Sequence, residues 1–459
     1  MGEEDSPLIH PSHGSYHELP HKESIFSPRR ALFRWFVLLI VSLICFGSYF
    51  AFDEIQPFDS QIQKTLNIER ADFSNLYAIY SFPNIILVFF GGLLGDKIGV
   101  RLAALIFVLF VFAGAVMAPL AVSLTAAGKI SQRSGYIFLL AGRFVFGLGG
   151  ESLNVIQTSM TAIWFAGTKD LALALGFTLS MSRLGDYLAL SFSPQIAKLF
   201  GGDWIAALWF GTVLAGISVG AVLLYSVLDK ASERYFPDRK IDPEENALNF
   251  KAILQFDARF WIVSLLCMTY YSGVTPFIAL CNDFLKDSYH FDDEKAAFYS
   301  GIIILASMIL SPILGKFLDM VGNRPYFVVL GSCMILPAHL MLAFTQVTPL
   351  VPIILIGLSF SMVPGCLWPS IPLLCKAKET ATAYGLMTAI QNAGLSLTNF
   401  AAGRIADLSY KEAMIFFVCM DLLGFAFGFM LIYVDDYKGR TLCLRSGATK
   451  EDLVEDDDK

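Results

Sequence analysis

Apolar segments of about 20 residues recur along the whole chain, and they constrain its fold more than any other feature. A helix of that length spans the roughly 30 Å hydrocarbon core of a bilayer, because each residue adds about 1.5 Å. Only 16% of the 459 residues are charged, against about 25% in ordinary soluble proteins. The sequence therefore predicts an all-α membrane protein with transmembrane helices at 32–52, 73–95, 101–123, 134–157, 170–194, 203–228, 259–282, 295–318, 325–345, 349–373, 380–406 and 411–434.

Polar segments between these helices divide the chain into two halves and two tails. The predicted parts are a cytosolic tail at 1–31, a six-helix half at 32–228, a cytosolic linker at 229–258, a second six-helix half at 259–434 and an acidic cytosolic tail at 435–459. Most Lys and Arg residues fall on the side of the membrane that holds both termini. Because cytosolic loops carry an excess of these residues, both termini are predicted to face the cytosol.

A turn of glycines, an acid and a base follows the second helix and recurs after the eighth. Its residues are Gly92, Asp96, Lys97, Gly99 and Arg101 in the first copy and Gly315, Asp319, Gly322 and Arg324 in the second. A tight turn favours glycine, and its acid can bond helix-end N–H groups or a neighbouring base, which would latch the halves in one state. The alternative is that these residues serve only the turn and the topology. Parallel six-helix repeats of this kind place substrate near the midplane, between the halves.

Charged residues also lie inside apolar segments of the first half, namely Arg143, Glu151 and Arg183. A charge at bilayer depth costs about 2.5–3.5 kcal/mol, so it usually implies a protein-lined cavity or a partner charge. Glu151 and Arg183 are predicted to form the two poles of a site for a solute that carries both charges, since arginine binds carboxylates bidentately. The alternative is a structural ion pair between the fourth and fifth helices. For Arg143 we favour a structural role.

Polar and aromatic residues of the second half are further candidates for the lining of this site. They are Tyr270 and Tyr271 beside the helix-bending Pro276, Trp368 before Pro369, and the amides Gln391 and Asn392, with Asn392 at the repeat position of Arg183. The alternatives are ordinary packing for the aromatic residues and interhelical hydrogen bonds for the amides. Asp186 either neutralises Arg183 one turn away or attracts a cationic group of the solute.

These motifs carry a resemblance to a known family. The duplicated turns, twelve helices and six-plus-six division resemble the major facilitator superfamily across the whole chain. Four segments are similar to the major facilitator superfamily domain-containing protein 1 family: Tyr80–Asn84, Gly142–Leu153, Leu367–Pro369 and Thr382–Gly394. The resemblance implies a lysosomal uniporter that exports dipeptides, with a preference for cationic ones and without obligatory proton coupling. It also implies that Glu151 binds the substrate ammonium and Arg183 the substrate carboxylate, and it implies no cofactor or metal.

Sorting and partner features agree with that resemblance. Glu4, Leu8 and Ile9 resemble an acidic dileucine signal, which predicts a clathrin adaptor as a partner and the lysosomal membrane as the location. The chain contains no Asn-x-Ser/Thr glycosylation site. Relatives that lack such sites depend on a glycosylated single-span accessory subunit, glycosylated lysosomal membrane protein, so the resemblance implies a similar subunit here. A homodimer remains an open alternative.

Other classes of function stay open or are excluded at this point. One alternative is a proton-coupled carrier of sugars or organic anions in which Glu151 accepts the proton; another is a membrane scaffold or sensor that transports nothing. An enzyme has no support, because no membrane-embedded catalytic or metal-ligand set is present. Nucleic-acid binding has none either, because no basic domain or aromatic-studded basic patch occurs.

Overall fold

The structure is a computed structural model that describes residues 30–165, 171–232, 256–375 and 380–444. Its α-helices are α1 (Ala31–Asp53), α2 (Asp59–Leu66), α3 (Arg70–Ile98), α4 (Val100–Ala126), α5 (Gln132–Phe165), α6 (Leu171–Leu199), α7 (Trp204–Ser232), α8 (Ala258–Tyr289), α9 (Asp293–Val321), α10 (Arg324–Phe344), α11 (Leu350–Leu374), α12 (Thr380–Leu408) and α13 (Tyr410–Tyr437). The sorting residues Glu4, Leu8 and Ile9 lie outside the described part of the chain.

The twelve predicted long helices are confirmed: each begins within three residues of its predicted start, and eight of them extend three to eight residues beyond their predicted end. By length and composition, nine helices of the described chain are apolar enough to cross a membrane. The short helix α2 was not predicted. Pro57 lies in the 3-10 turn that precedes α2, and Asn67 ends the helix in the left-handed conformation. These two residues bound a short helix in a segment that the sequence indicated only as a loop.

Each half is a bundle of six long helices, and the two halves meet along two helix pairs. In the first half α1 packs on α6 and α7, and α4 packs on α5; in the second half α8 packs on α12 and α13. The halves contact each other mainly where α3 packs on α12 and α6 packs on α9. In each pair the two helices approach each other at a glycine. The Ser74 side chain fills the space beside Gly403, and the Ser191 side chain fills the space beside Gly301.

Polar contacts between the halves gather at the end of the bundle opposite to Arg30 and Leu444, and we call this region the sealed end. Lys286 of α8 pairs with Asp59 at the start of α2. The Gln56 amide donates to the Ile278 carbonyl at 2.6 Å, and Arg70 of α3 lies 3.5 Å from Asp283 of α8. Charged pairs and side-chain amides thus bridge the halves at this end.

The segment after the last helix is part of the fold, which corrects the prediction of a tail that begins at residue 435. The Asp435 carboxylate is buried and accepts a hydrogen bond from Arg259 at 2.8 Å. The Arg324 guanidinium donates to the Leu444 carbonyl at 2.9 Å, and Leu442 is fully buried. A buried carboxylate requires such partners, so the C-terminal half extends to residue 444; residues 445–459 lie outside the described chain.

A buried hydrogen bond between a histidine and an aspartate joins α10 to α13 within the second half. His339 Nδ1 lies 2.7 Å from Asp421 Oδ2, and both side chains are almost fully buried. The rings of Phe277 and Phe417 pack on the imidazole. The two residues lie 82 positions apart in the chain. The structure places this aspartate inside the C-terminal half and away from the cavity described below.

Replacing His339 by leucine should destabilise the protein because it leaves the Asp421 carboxylate buried without a partner. Breaking a buried pair in this way costs about 3–5 kcal/mol, whereas replacing both partners by apolar residues is often neutral. The thermal unfolding temperature in detergent should therefore fall clearly for His339→Leu and recover in the double variant with Asp421→Leu. Equal unfolding temperatures for the single and double variants would contradict this account.

Candidate functional site

A cavity of about 1050 Å³ lies between the two halves. Its walls come from α1, α3, α5 and α6 on one side and from α8, α9, α11 and α12 on the other. The lining extends from Ile278, next to the sealed end, to Gly176 and Pro312 at the opposite end. Thr158 and Leu179 line the cavity there and are exposed, so the cavity opens at that end, which we call the open end. Its volume suits a small solute.

The acidic pole of the cavity is Glu151 on α5. The Tyr80 hydroxyl of α3 donates to Glu151 Oε1 at 3.2 Å. Glycines on α5 allow this close approach of α3. The Tyr80 ring occupies the space that a side chain on Gly150 would need, and the Tyr80 carbonyl lies against Gly147. The glycine run thus lets α5 approach α3 closely and places the carboxylate at the cavity wall.

The basic pole is Arg183 on α6, whose side chain is 21% exposed. Its guanidinium carbon lies 4.9 Å from the ring centre of Phe360 in the other half, and Nη1 lies 3.8 Å from Asp186 Oδ2. Among the described residues no ion pair joins Arg183 to Glu151. The two poles therefore line the same cavity without neutralising each other, in contrast to the structural ion pair that was the alternative.

Two more carboxylates line the cavity beside Arg183. Asp186, one turn along α6, is 4% exposed, and Asp53 at the end of α1 is 7% exposed. Asp53 falls one residue beyond the helix predicted at 32–52 and was not singled out from the sequence. The signal that was missed is its spacing of four residues from Tyr49, which puts both side chains on the same face of α1 and into the cavity.

Aromatic residues form the wall on the side of the second half. The Trp368 indole donates to the Tyr271 hydroxyl at 3.2 Å, and its ring stacks on Tyr384 with centroids 6.0 Å apart. The Tyr384 hydroxyl donates to the Trp368 carbonyl at 3.1 Å. These three residues line the cavity and hold one another in place. Tyr384 was not singled out from the sequence, although it lies within the Thr382–Gly394 motif.

The amides Gln391 and Asn392 of α12 also line the cavity. The Asn392 amide donates to the Thr388 carbonyl at 3.0 Å, and both side chains are mostly buried. An amide keeps a carbonyl oxygen as an acceptor when its NH₂ group is engaged in this way. The structure thus brings Glu151, Arg183, Tyr271, Trp368, Gln391 and Asn392 to one cavity.

Tyr270 does not line that cavity. Its hydroxyl lies 2.9 Å from Ser359 Oγ, which in turn donates to the Gly331 carbonyl. Neighbouring residues point about 100° apart around a helix. The residue that faces the cavity is therefore Tyr271, and Tyr270 packs between α8 and α11. We drop Tyr270 from the candidate site.

Arg143 lies behind the cavity wall and is 2% exposed. Its guanidinium donates to the Phe52 carbonyl at 3.0 Å and to the Leu76 carbonyl at 3.3 Å, so it ties α5 to α1 and α3. The aromatic rings within 6 Å of its guanidinium carbon are those of Phe52, Tyr77, Tyr80 and Phe146. Carbonyl bonds and cation–π contacts stabilise a buried guanidinium, which matches the structural role that we favoured.

Each of the repeated turns places a glycine at a positive φ. Gly99 between α3 and α4 has a φ of +85°, and Gly322 between α9 and α10 has a φ of +71°. These angles favour glycine over every other residue. Arg101 lies 3.5 Å from Asp229 of α7, a contact within the first half. Arg324 likewise bonds the end of its own half, as described above.

The structure says less about the remaining residues of the two turns. Gly92 and Gly315 lie inside α3 and α9, and a side chain on Gly315 would meet open space. The side chains of Asp96, Lys97 and Asp319 lie outside the described set. The role of these turns as latches between the halves therefore stays a prediction.

Comparisons with known proteins agree with this architecture. The family model described as Major Facilitator Superfamily matches residues 35–399. The Danio rerio lysosomal dipeptide transporter MFSD1 is 33% identical over 91% of this chain and 90% of its own length. The Homo sapiens protein of the same name is 32% identical over 91% and 90%.

Two solved structures share the fold. A mutant of the nucleoside transporter NupG superposes with a TM-score of 0.66 at 15% identity, covering 86% of this chain and 99% of its own. A bacterial homologue of the human lysosomal transporter Spinster gives 0.62 at 16% identity, covering 87% and 97%. At these identities the likeness concerns the fold alone.

Proposed function

The chain belongs to the Major Facilitator Superfamily and, within it, to the family of the lysosomal dipeptide transporter MFSD1, and from this premise we propose that it exports dipeptides from the lysosomal lumen to the cytosol. It is a transporter and a multi-pass protein of the lysosomal membrane. The proposal concerns the substrate, the residues that bind it and the mechanism by which it crosses the membrane.

The observation that carries the proposal is the presence in one cavity of two opposite charges that are not paired with each other. A dipeptide has an ammonium group at one end and a carboxylate at the other. Glu151 binds the ammonium, with its orientation fixed by Tyr80. Arg183 binds the carboxylate, and its guanidinium presents donors in a fork that matches two carboxylate oxygens. Gln391 and Asn392 line the same cavity and supply amide groups for the peptide unit.

A preference for cationic dipeptides follows from the charge balance of the cavity. Asp53, Glu151 and Asp186 line it as acids, while Arg183 is its only described lining residue with a positive charge. One acid is matched by the substrate ammonium and the guanidinium is matched by the substrate carboxylate. Negative charge remains, and in a site of low dielectric it favours a substrate with a basic side chain.

Transport proceeds by alternating access, with the halves rocking around the cavity. The Lys and Arg distribution orients the open end toward the cytosol and the sealed end toward the lumen. Opening at the lumen requires the polar contacts of Asp59, Arg70, Asp283 and Lys286 to separate. The carrier works as a uniporter, driven by the dipeptide gradient. The glycosylated accessory subunit, the clathrin adaptor and a homodimer stay predictions from the sequence.

The test is thermal stabilisation of the purified protein by a panel of solutes, because a ligand that binds only the folded state raises the unfolding temperature. The panel contains Lys-Ala, Ala-Ala, Asp-Ala, free lysine, N-acetylated Lys-Ala and glucose. Free-ended dipeptides should stabilise the protein, Lys-Ala most of all, and acetylation of the ammonium should remove the effect. Stabilisation by glucose and by no dipeptide would leave the fold intact and refute the proposed cargo.

A further inference from the structure

The guanidinium of Arg183 contacts an aromatic ring that belongs to the other half of the protein. Its carbon lies 4.9 Å from the ring centre of Phe360, which is on α11, whereas Arg183 is on α6. A guanidinium within about 6 Å of a ring centre is attracted to the negative face of the ring. Both residues line the cavity, and Phe360 is 3% exposed. The basic pole therefore combines a cation from the first half with a ring from the second half.

The aromatic contact holds the charge of Arg183 without using its hydrogen-bond donors. A guanidinium has five N–H donors, and a ring attracts its charge through the π face. Across the part of the chain that the structure describes, no residue accepts a hydrogen bond from Arg183, and Asp186 Oδ2 lies 3.8 Å away. Arg143, in contrast, donates to the Phe52 and Leu76 carbonyls. The donors of Arg183 thus remain available for a carboxylate in the cavity.

A series of contacts within the second half fixes the position of the Phe360 ring. The rings of Phe360 and Tyr271 meet edge to face, with centroids 6.0 Å apart and an interplanar angle of 79°. The Tyr271 hydroxyl accepts a hydrogen bond from the Trp368 indole at 3.2 Å, and Trp368 stacks on Tyr384. Aromatic pairs in these geometries stabilise one another beyond the area that they bury. Helices α8, α11 and α12 together therefore hold the ring that the guanidinium contacts.

We propose that Phe360 is a positioning residue for the carboxylate site, and that its ring holds the Arg183 guanidinium in the orientation that binds the substrate. This inference rests on the proposed function, in which Arg183 binds the substrate carboxylate. A long arginine side chain has many rotamers, and holding it in one of them before the substrate arrives reduces the entropy that binding costs. Because the ring uses no N–H group, the guanidinium keeps its fork of donors for two carboxylate oxygens.

Peptide amides separate this positioning role from a general effect on the shape of the cavity. Lys-Ala and Lys-Ala amide differ only at the carboxylate, so the ratio of their affinities measures what Arg183 contributes to binding. Removing the Phe360 ring should weaken the binding of Lys-Ala and leave the binding of Lys-Ala amide nearly unchanged. A ring that only shapes or stabilises the cavity would instead change both affinities by the same factor.

Three variants of Phe360 and one control test the assignment. Phe360→Leu should lower the ratio of the Lys-Ala affinity to the amide affinity by about two- to thirtyfold, the range that one cation–π contact spans. Phe360→Tyr keeps an aromatic face and should keep the ratio. Phe360→Met supplies a flexible apolar side chain and replaces the leucine variant if that variant does not fold. Phe429→Leu is the matched control, because Phe429 of α13 is 51% exposed and its ring packs on Phe425.

The measurement is isothermal titration calorimetry of the full-length purified protein with both peptides. In a protein that carries Arg183→Ala, adding Phe360→Leu should leave the ratio unchanged, because no guanidinium remains to be positioned. A ratio that the leucine and methionine variants do not lower, or that falls equally without Arg183, would overturn the role of Phe360 and leave the dipeptide site standing. Equal affinities of the unchanged protein for the two peptides would instead refute Arg183 as the carboxylate site, and failure of both to bind would refute the proposed function.

Discussion

Replacing Arg183 by alanine is expected to abolish dipeptide transport while the protein still folds and reaches lysosomes. The variant leaves the substrate carboxylate in a mostly buried cavity without a positive charge. Truncating one partner of a buried charge pair costs about 2–5 kcal/mol, which corresponds to at least about 30-fold in affinity. Dipeptide uptake into vesicles, thermal stabilisation by Lys-Ala and lysosomal localisation are the three measurements.

Two further variants show whether the guanidinium itself matters. Arg183→Lys keeps the charge and loses the planar fork, so it should retain part of the affinity for dipeptides. Arg133→Ala removes an exposed arginine at the start of α5 and should behave as the unchanged protein. If Arg183→Ala reaches lysosomes and transports dipeptides normally, Arg183 is not the carboxylate site.

Replacing Gly403 by leucine is expected to stop transport by preventing closure of the sealed end. Gly403 of α12 meets Ser74 of α3, and the Cα of Ala71 would lie 2.9 Å from an added Cβ. Backbone atoms cannot give way as a flexible side chain does, so a leucine here forces the halves apart. The protein should then favour the state in which the cavity is open at the opposite side of the membrane. Transport should fall at least about tenfold, since a shift of about 1.4 kcal/mol already changes a population tenfold.

A cysteine reporter at the open end detects this shift directly. Thr158 lines the cavity there and is exposed, so Thr158→Cys should react readily with a water-soluble maleimide once other exposed cysteines are removed. Adding Gly403→Leu should slow that reaction. Gly220→Leu is the matched control, because Gly220 is exposed and an added side chain would meet no atom within 4 Å. Rapid labelling and intact transport in the Gly403 variant would show that the close contact is not needed.

The positions of Glu151 and Arg183 in the cavity wall could be predicted because a charged residue is rare in a membrane-spanning segment. Glu151 and Arg183 stand out in apolar segments, and both line the cavity. Asp53 was missed for the opposite reason: it lies where an apolar segment meets an acidic loop, and an acid there looks like a loop residue. Tyr270 and Tyr271 are adjacent, and only the contacts of α8 with its neighbours decide which of them faces the cavity.

Contacts between residues that are far apart in the chain could not be predicted from the sequence. His339 and Asp421 are both in apolar segments, but nothing local to either residue indicates that they meet. Asp435 lies in an acidic segment, which by its composition resembles an exposed tail. Its burial depends on its ion pair with Arg259, which lies at the start of the second half. Helix positions, in contrast, follow from apolar length alone, so the twelve long helices could be read directly from the chain.

The serine and glycine pairs between the halves have a mechanical consequence. Ser74 meets Gly403 and Ser191 meets Gly301, so each of these contacts joins two of the smallest residues. At these two points no large side chain has to leave a pocket when the halves move apart, and little apolar burial is lost there.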